Sequence, residues 1–119
     1  MEVLIKIVYR DKKDEKICGD FRAAVKKIGP IAAEKLLKLI NLILAAENLA
    51  EVGKFNYRLH GLSGSRQNQY ALDIGRKLGW RLIVIPLDET GAELISDGDA
   101  LFCQSVKIVL VWEISKHYE

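Results

Sequence analysis

The chain is poor in the residues that build metal sites, disulfide frameworks and linkers. It has 2 cysteines, 2 histidines and 2 prolines in 119 residues. Cys18 and Cys103 form no CxxC pair, and Cys and His do not cluster at ligand spacing, so two inert thiols are expected rather than structural zinc. No cofactor is expected. The longest apolar region, residues 31–46 (IAAEKLLKLINLILAA), is interrupted by Glu34, Lys35, Lys38 and Asn41 and is too short to span a bilayer. No membrane partner is expected. The first residues show neither an apolar signal core nor a small-residue cleavage site, which points to a reducing cytoplasm. With no repeat and no low-complexity stretch, the whole chain, 1–119, is expected to form one domain.

A composition of 50% hydrophobic and 29% charged residues is that of an ordinary globular protein and excludes whole-chain disorder. The net charge of +2 is also small, so the total does not mark a nucleic-acid binder. Its distribution is uneven. Between residues 54 and 81 the cations are Lys54, Arg58, Arg66, Arg76, Lys77 and Arg81, against the lone acid Asp73. Between residues 86 and 103 stand Asp88, Glu89, Glu93, Asp97 and Asp99, with no lysine or arginine. A basic middle and an acidic loop cancel in the sum.

The β-branched run at residues 3–9 (VLIKIVY) predicts a first strand that ends where the charged run RDKKDEK begins. Two helices are expected next. Asp20 caps the first, over residues 21–28, and Pro30 sits in the first turn of the second after the Gly29-Pro30 break. The second helix has an apolar surface wider than one stripe, which suits either a helix packed between a neighbour and a sheet or one that also meets a partner. Residues 70–74 (YALDI), 80–85 (WRLIVI) and 106–114 (VKIVLVWEI) read as strands, with a hairpin turn over residues 75–79. Asp97-Gly98 marks a turn in the acidic loop. The expected class is α+β, with an N-terminal strand and two helices packed on a small, largely antiparallel sheet.

Both histidines stand outside the expected core: His60 just before a glycine-bracketed turn in YRLHGLSG, His117 after the last strand in SKHYE. Imidazole is the side chain whose ordinary pKa lies nearest neutrality, so a pair can supply one proton acceptor and one donor. Arg81, in WRLIVI, alternates with Trp80 and Leu82 and therefore shares a face with Ile83 and Ile85. A guanidinium beside two imidazoles suits attack at a phosphodiester, where charge builds on phosphoryl oxygens while protons leave one oxygen and reach another. RNA supplies its own nucleophile in the 2′-hydroxyl, so no metal is required. Tyr70 and Tyr118 are candidates for base stacking, and Arg58, Arg66, Arg76, Lys77 and Lys116 for contacts to phosphate or ribosomal RNA. For the aromatics, core or rim packing is the commoner use, and a surface histidine is most often only polar.

These residues carry a resemblance. YRLHGLSG resembles the RLHPLKG signature of the HigB-type toxins, plasmid-maintenance killer proteins of the RelE/ParE superfamily. An aromatic-led strand follows at similar spacing, GWRLIVI is similar to the family's NWRITF strand, and the last strand ends near a histidine. The resemblance covers roughly the second half of the chain. It implies a RelE-like fold and a toxin of a type II toxin–antitoxin system, a ribosome-dependent endoribonuclease that cuts translated mRNA in the bacterial cytoplasm. It places His60, Arg81 and His117 at catalytic positions, with 2′-hydroxyl attack giving a 2′,3′-cyclic phosphate and a free 5′-hydroxyl. The implied partners are a cognate HigA-like antitoxin, the translating ribosome with its mRNA, and operator DNA only through the toxin–antitoxin complex.

The sequence departs from the pattern at Gly61 and Ser63, which replace the signature's proline and lysine. Ser115-Lys116 replaces the acidic-aromatic pair before the terminal histidine, and Lys116 offers a different cation. Two other readings compete. A ParE-like toxin poisons DNA gyrase by binding and needs no histidine pair, and a plain binding module uses the apolar helix and basic surface for assembly.

Overall fold

The computed structural model describes residues 4–62, 64–66, 68–75, 77–94 and 102–116. Among these residues five strands, β1 (Lys6–Tyr9), β2 (His60–Gly61), β3 (Tyr70–Gly75), β4 (Trp80–Leu87) and β5 (Ile108–Lys116), form one sheet in the order β1-β5-β4-β3-β2. β1 runs parallel to β5, and each of the other neighbouring pairs is antiparallel. The class is α+β with a mixed sheet. The strands predicted at residues 70–74, 80–85 and 106–114 correspond to β3, β4 and β5. Residue 3, at the start of the predicted first strand, and the Asp97-Gly98 turn lie outside the described residues.

The expectation of two helices is corrected to four among the described residues: α1 (Lys12–Gly19), α2 (Phe21–Ile28), α3 (Pro30–Ala45) and α4 (Leu49–Val52). The charged run forms α1 because its ends are chemically defined rather than because it is strongly apolar. Asp11 accepts from the Lys13 N–H at 2.9 Å, and Asp14 and Glu15 lie in the positive first turn. Cys18 is its buried residue. Asp20 joins α1 to α2, its N–H donating to the Lys16 carbonyl and its carboxylate accepting from Arg22 N at 2.9 Å. Gly29, at φ 87, takes the left-handed turn that lets Pro30 open α3. The short α4 has a cap of its own: Asn48 accepts from Glu51 N at 3.0 Å, and the Glu51 carboxylate accepts from Glu47 N at 3.3 Å.

The helices cover one face of the sheet. Leu36, Leu39 and Ile43 of α3, Leu49 and Val52 of α4 and Ala24 and Ile28 of α2 share a core cluster with Leu72, Ile74, Leu82, Val84, Val109, Val111 and Ile114. Thus most of the broad apolar surface of α3 is core, while Ile31, Leu37 and Leu44 remain exposed. Alternation sends Ala71, Asp73, Arg81, Ile83 and Ile85 to the opposite face. A bulge in β5 keeps both faces consistent. Val84 pairs with Val111 and Ile83 with Glu113, so Trp112 is left over and Ile114 returns to the core side. Among the described residues no helix is long and apolar enough to cross a membrane.

Burial pushes the Cys18 thiol up to about 12, with the nearby Asp14 carboxylate adding to the effect. Tyr9, beside it, is raised chiefly by burial as well. Cys103 is half-buried and raised by desolvation. Labelling with an aromatic disulfide reagent at pH 8 is expected to modify Cys103 first and Cys18 only on unfolding. Between the ordinary thiol value of 9.0 and about 12, folded Cys18 keeps a proton that the unfolded chain loses, so stability falls as pH rises through that window. Leu39→Ala, at a fully buried position, is expected to cost about 2–5 kcal/mol in urea unfolding.

Candidate active site

The segment before β2 is held in an unusual conformation. Arg58 has φ 52 and is the one non-glycine residue at positive φ among the described residues. Such a backbone costs on the order of 1–3 kcal/mol and persists only where its surroundings enforce it. Here Arg58 Nη1 donates to Asp73 Oδ2 at 3.2 Å, and Asp73 N donates to the Tyr57 carbonyl at 2.7 Å. His60 follows in β2, paired with Ala71, and its Nδ1 lies 2.6 Å from the Arg58 carbonyl oxygen.

Past the turn, a 3-10 segment, Gly64–Arg66, is closed by Gln69 N donating to the Arg66 carbonyl at 2.9 Å and by Leu62 N donating to Gln69 O at 2.9 Å. It delivers Arg66 to β5, where Nη2 donates to Glu113 Oε1 at 2.7 Å. Arg66, Arg81, Glu113, Ser115 and Lys116 line a cavity of about 510 Å³. The β4–β5 register builds it: Arg81 faces Ser115 and Ile83 faces Glu113, and directly opposed residues of an antiparallel pair share a face. Lys116 approaches from the strand end, its Nζ 5.0 Å from the centre of the Trp80 ring.

Arg81 differs from Arg58 and Arg66. Arg58 and Arg66 have carboxylate partners, whereas Arg81 makes no ion pair among the described residues, and its Nε is buried without a hydrogen bond. An unpaired buried donor costs on the order of 1–3 kcal/mol. The cavity thus holds one uncommitted guanidinium, a lysine, a hydroxyl and an arginine already matched by a carboxylate. That set suits a phosphate group.

The sequence-predicted residues are partly gathered. Arg66, Arg81 and Lys116 share the cavity. His60 lies on the same face through the chain of pairs His60↔Ala71, Ala71↔Ile83 and Asp73↔Arg81. Two strand spacings across and two residues along separate His60 from Arg81, roughly 12 Å between backbones, so a substrate spanning the gap would meet both side chains. Arg58 is engaged with Asp73. Tyr70 stacks on Phe102 with ring centroids 6.3 Å apart, so rim packing describes it. Lys77 is exposed in the β3–β4 turn. Arg76, His117 and Tyr118 lie outside the described residues. Among those described, no group of three or more His, Cys, Asp and Glu side chains is placed to hold a metal ion.

Sequence reasoning missed Glu113, Ser115 and Asp73. Simple alternation along VKIVLVWEI puts Glu113 with Val109 and Val111 on the core side, and only the bulge turns it away. Its signal was an acid in an otherwise apolar strand. A larger cavity of about 610 Å³ lies between α1, α2 and β5. Its charged lining is Arg10, Lys13, Lys16, Lys26 and Lys27 with Asp11, Asp14 and Glu113, and it contains none of the predicted site residues.

No protein-family model matches this sequence, nor does any curated protein match it significantly.

If Arg81 meets a phosphate, Arg81→Ala weakens binding of a single-stranded RNA oligonucleotide and flattens the slope of log affinity against log salt by about 0.7. Glu113→Gln, which releases Arg66, tightens binding. Fluorescence anisotropy over a range of KCl concentrations reads both, and an unchanged slope in Arg81→Ala removes the phosphate assignment.

Proposed function

We propose that this chain is a HigB-type toxin of the RelE/ParE superfamily with a RelE-like fold, acting as a ribosome-dependent mRNA endoribonuclease. The observation that carries the reading is the uncommitted Arg81 guanidinium in a cationic cavity, on the same sheet face as His60. This arrangement supports transition-state stabilisation at a phosphodiester. The sequence resemblance supplies the rest, including His117, which directly follows the last residue of β5.

In the proposed reaction one histidine takes the proton from the RNA 2′-hydroxyl as the new O2′–P bond forms. The P–O5′ bond breaks, and the other histidine protonates the leaving 5′-oxygen. The products are a 2′,3′-cyclic phosphate and a free 5′-hydroxyl. Arg81 balances the charge that builds on the phosphoryl oxygens, and Lys116 adds a second cation. His60 and His117 share the base and acid roles, in either order.

A toxin of this kind requires a cognate antitoxin. The proposed contact is the part of α3 left exposed at Ile31, Leu37 and Leu44, or the cationic cavity through charge complementarity. Operator DNA is reached through that complex. Co-purification from a co-expressed operon tests the partner, and a stable, harmless monomer made alone counts against it.

The decisive experiment maps 5′ ends on a translated transcript and on the same transcript lacking a start codon during controlled expression. Cuts confined to the translated message are expected. Replacing His60 and His117 together by alanine is expected to lower cleavage by at least about 100-fold, the usual scale of acid–base assistance. Growth arrest with intact mRNA would favour gyrase as the target, and harmless expression would favour a binding module.

A further inference from the structure

The strained turn before β2 has a chemical consequence for His60. A backbone carbonyl oxygen can only accept a hydrogen bond, so a ring nitrogen 2.6 Å from the Arg58 oxygen must carry the proton. In the neutral ring this leaves Nε2 bare, with its lone pair free. The Arg58 carbonyl reaches Nδ1 from a residue whose φ of 52 is otherwise the province of glycine. What enforces it is Asp73, which grips the turn twice, through its backbone N–H on Tyr57 and its carboxylate on the Arg58 guanidinium. The Asp73 side chain is only 12% exposed and its residue is fixed in β3 opposite Arg81, so the grip is anchored in the sheet.

We propose that Arg58 and Asp73 are positioning residues that lock His60 in its Nδ1–H tautomer and present Nε2 as the proton-transferring nitrogen. The role in catalysis rests on the nuclease reading above, while the tautomer lock does not. Arg58 therefore acts through the turn it holds rather than by touching RNA. It also accounts for an arginine two residues before a histidine, at a place where turn chemistry alone asks for glycine or asparagine.

The test is long-range proton–nitrogen correlation NMR on the full chain with nitrogen-15 histidine, at a pH where the ring is neutral, with His60→Gln assigning the signal. The wild type is expected to show a protonated Nδ1 and a bare Nε2. Arg58→Ala and Asp73→Asn are expected to shift His60 toward the Nε2–H form that a free imidazole side chain prefers. In the nuclease assay both lower cleavage by between about tenfold and 10,000-fold, the range for disturbed orienting partners and wrong tautomers. Should thermal melting show that Arg58→Ala has lost its fold, Arg58→Gly takes its place, since glycine accepts the backbone angle while deleting the guanidinium. A bare Nδ1 in the wild type overturns the proposal, as does a wild-type pattern retained in folded variants of both positions. The expected tautomers in a protein that leaves mRNA intact would uphold the lock and reject the nuclease reading.

Discussion

The antiparallel ladder between β4 and β5 is the constraint on which the other elements depend, because both of its faces are committed. On one side Leu82, Val84, Val109, Val111 and Ile114 meet the helices, and on the other Arg81, Glu113 and Ser115 line the cavity. Strict alternation along β5 does not satisfy both sets, since Val111 and Ile114 are three residues apart and both belong to the core. One extra residue, Trp112, resolves the conflict by bulging out of the ladder. Its ring is not wasted: the Arg10 guanidinium lies over it at 3.9 Å. The same residue that keeps the core closed turns Glu113 toward Arg66.

Charge in the cavity is arranged for exchange. The Arg66–Glu113 pair is short, but its side chains are 41% and 29% exposed, and pairs this wet contribute about 0–1 kcal/mol. An incoming oxyanion can take Arg66 from Glu113 at small cost. Arg81 needs no such release, because no carboxylate holds it among the described residues. The two arginines thus stand at different stages of readiness.

Much of the frame was legible because local signals agreed with the tertiary arrangement. Asp20, Gly29 and Pro30 punctuate α2 and α3 through their own backbone chemistry, and the apolar runs of β3, β4 and β5 pack where their patterns place them. α1 was not legible, since RDKKDEK offers little apolar periodicity and its helix depends on the Asp11 cap and the charges that follow it. β2 is only two residues long, and pairing with β3 defines it rather than propensity. In the site, Arg81 could be placed on its face by counting from Trp80. Glu113 could not, because a bulge is set by how two strands fit together. Arg58 was visible as an anomaly in a turn, but its partner lies fifteen residues away in β3.

The sheet's two borders are both poor templates for further strands. β2 offers two residues at one border, and β1 offers four at the other. β5 continues past the partner of Tyr9 to Lys116, so among the described residues its last ones have no strand neighbour on that flank. This stretch is the natural place for a foreign strand to add, and it is flanked by Arg10, Asp11, Lys13 and Asp14. Charges of both signs beside a bare edge discourage identical chains from zipping together. The charged segment between β1 and α2 thus sets charges of both signs along that flank of the sheet.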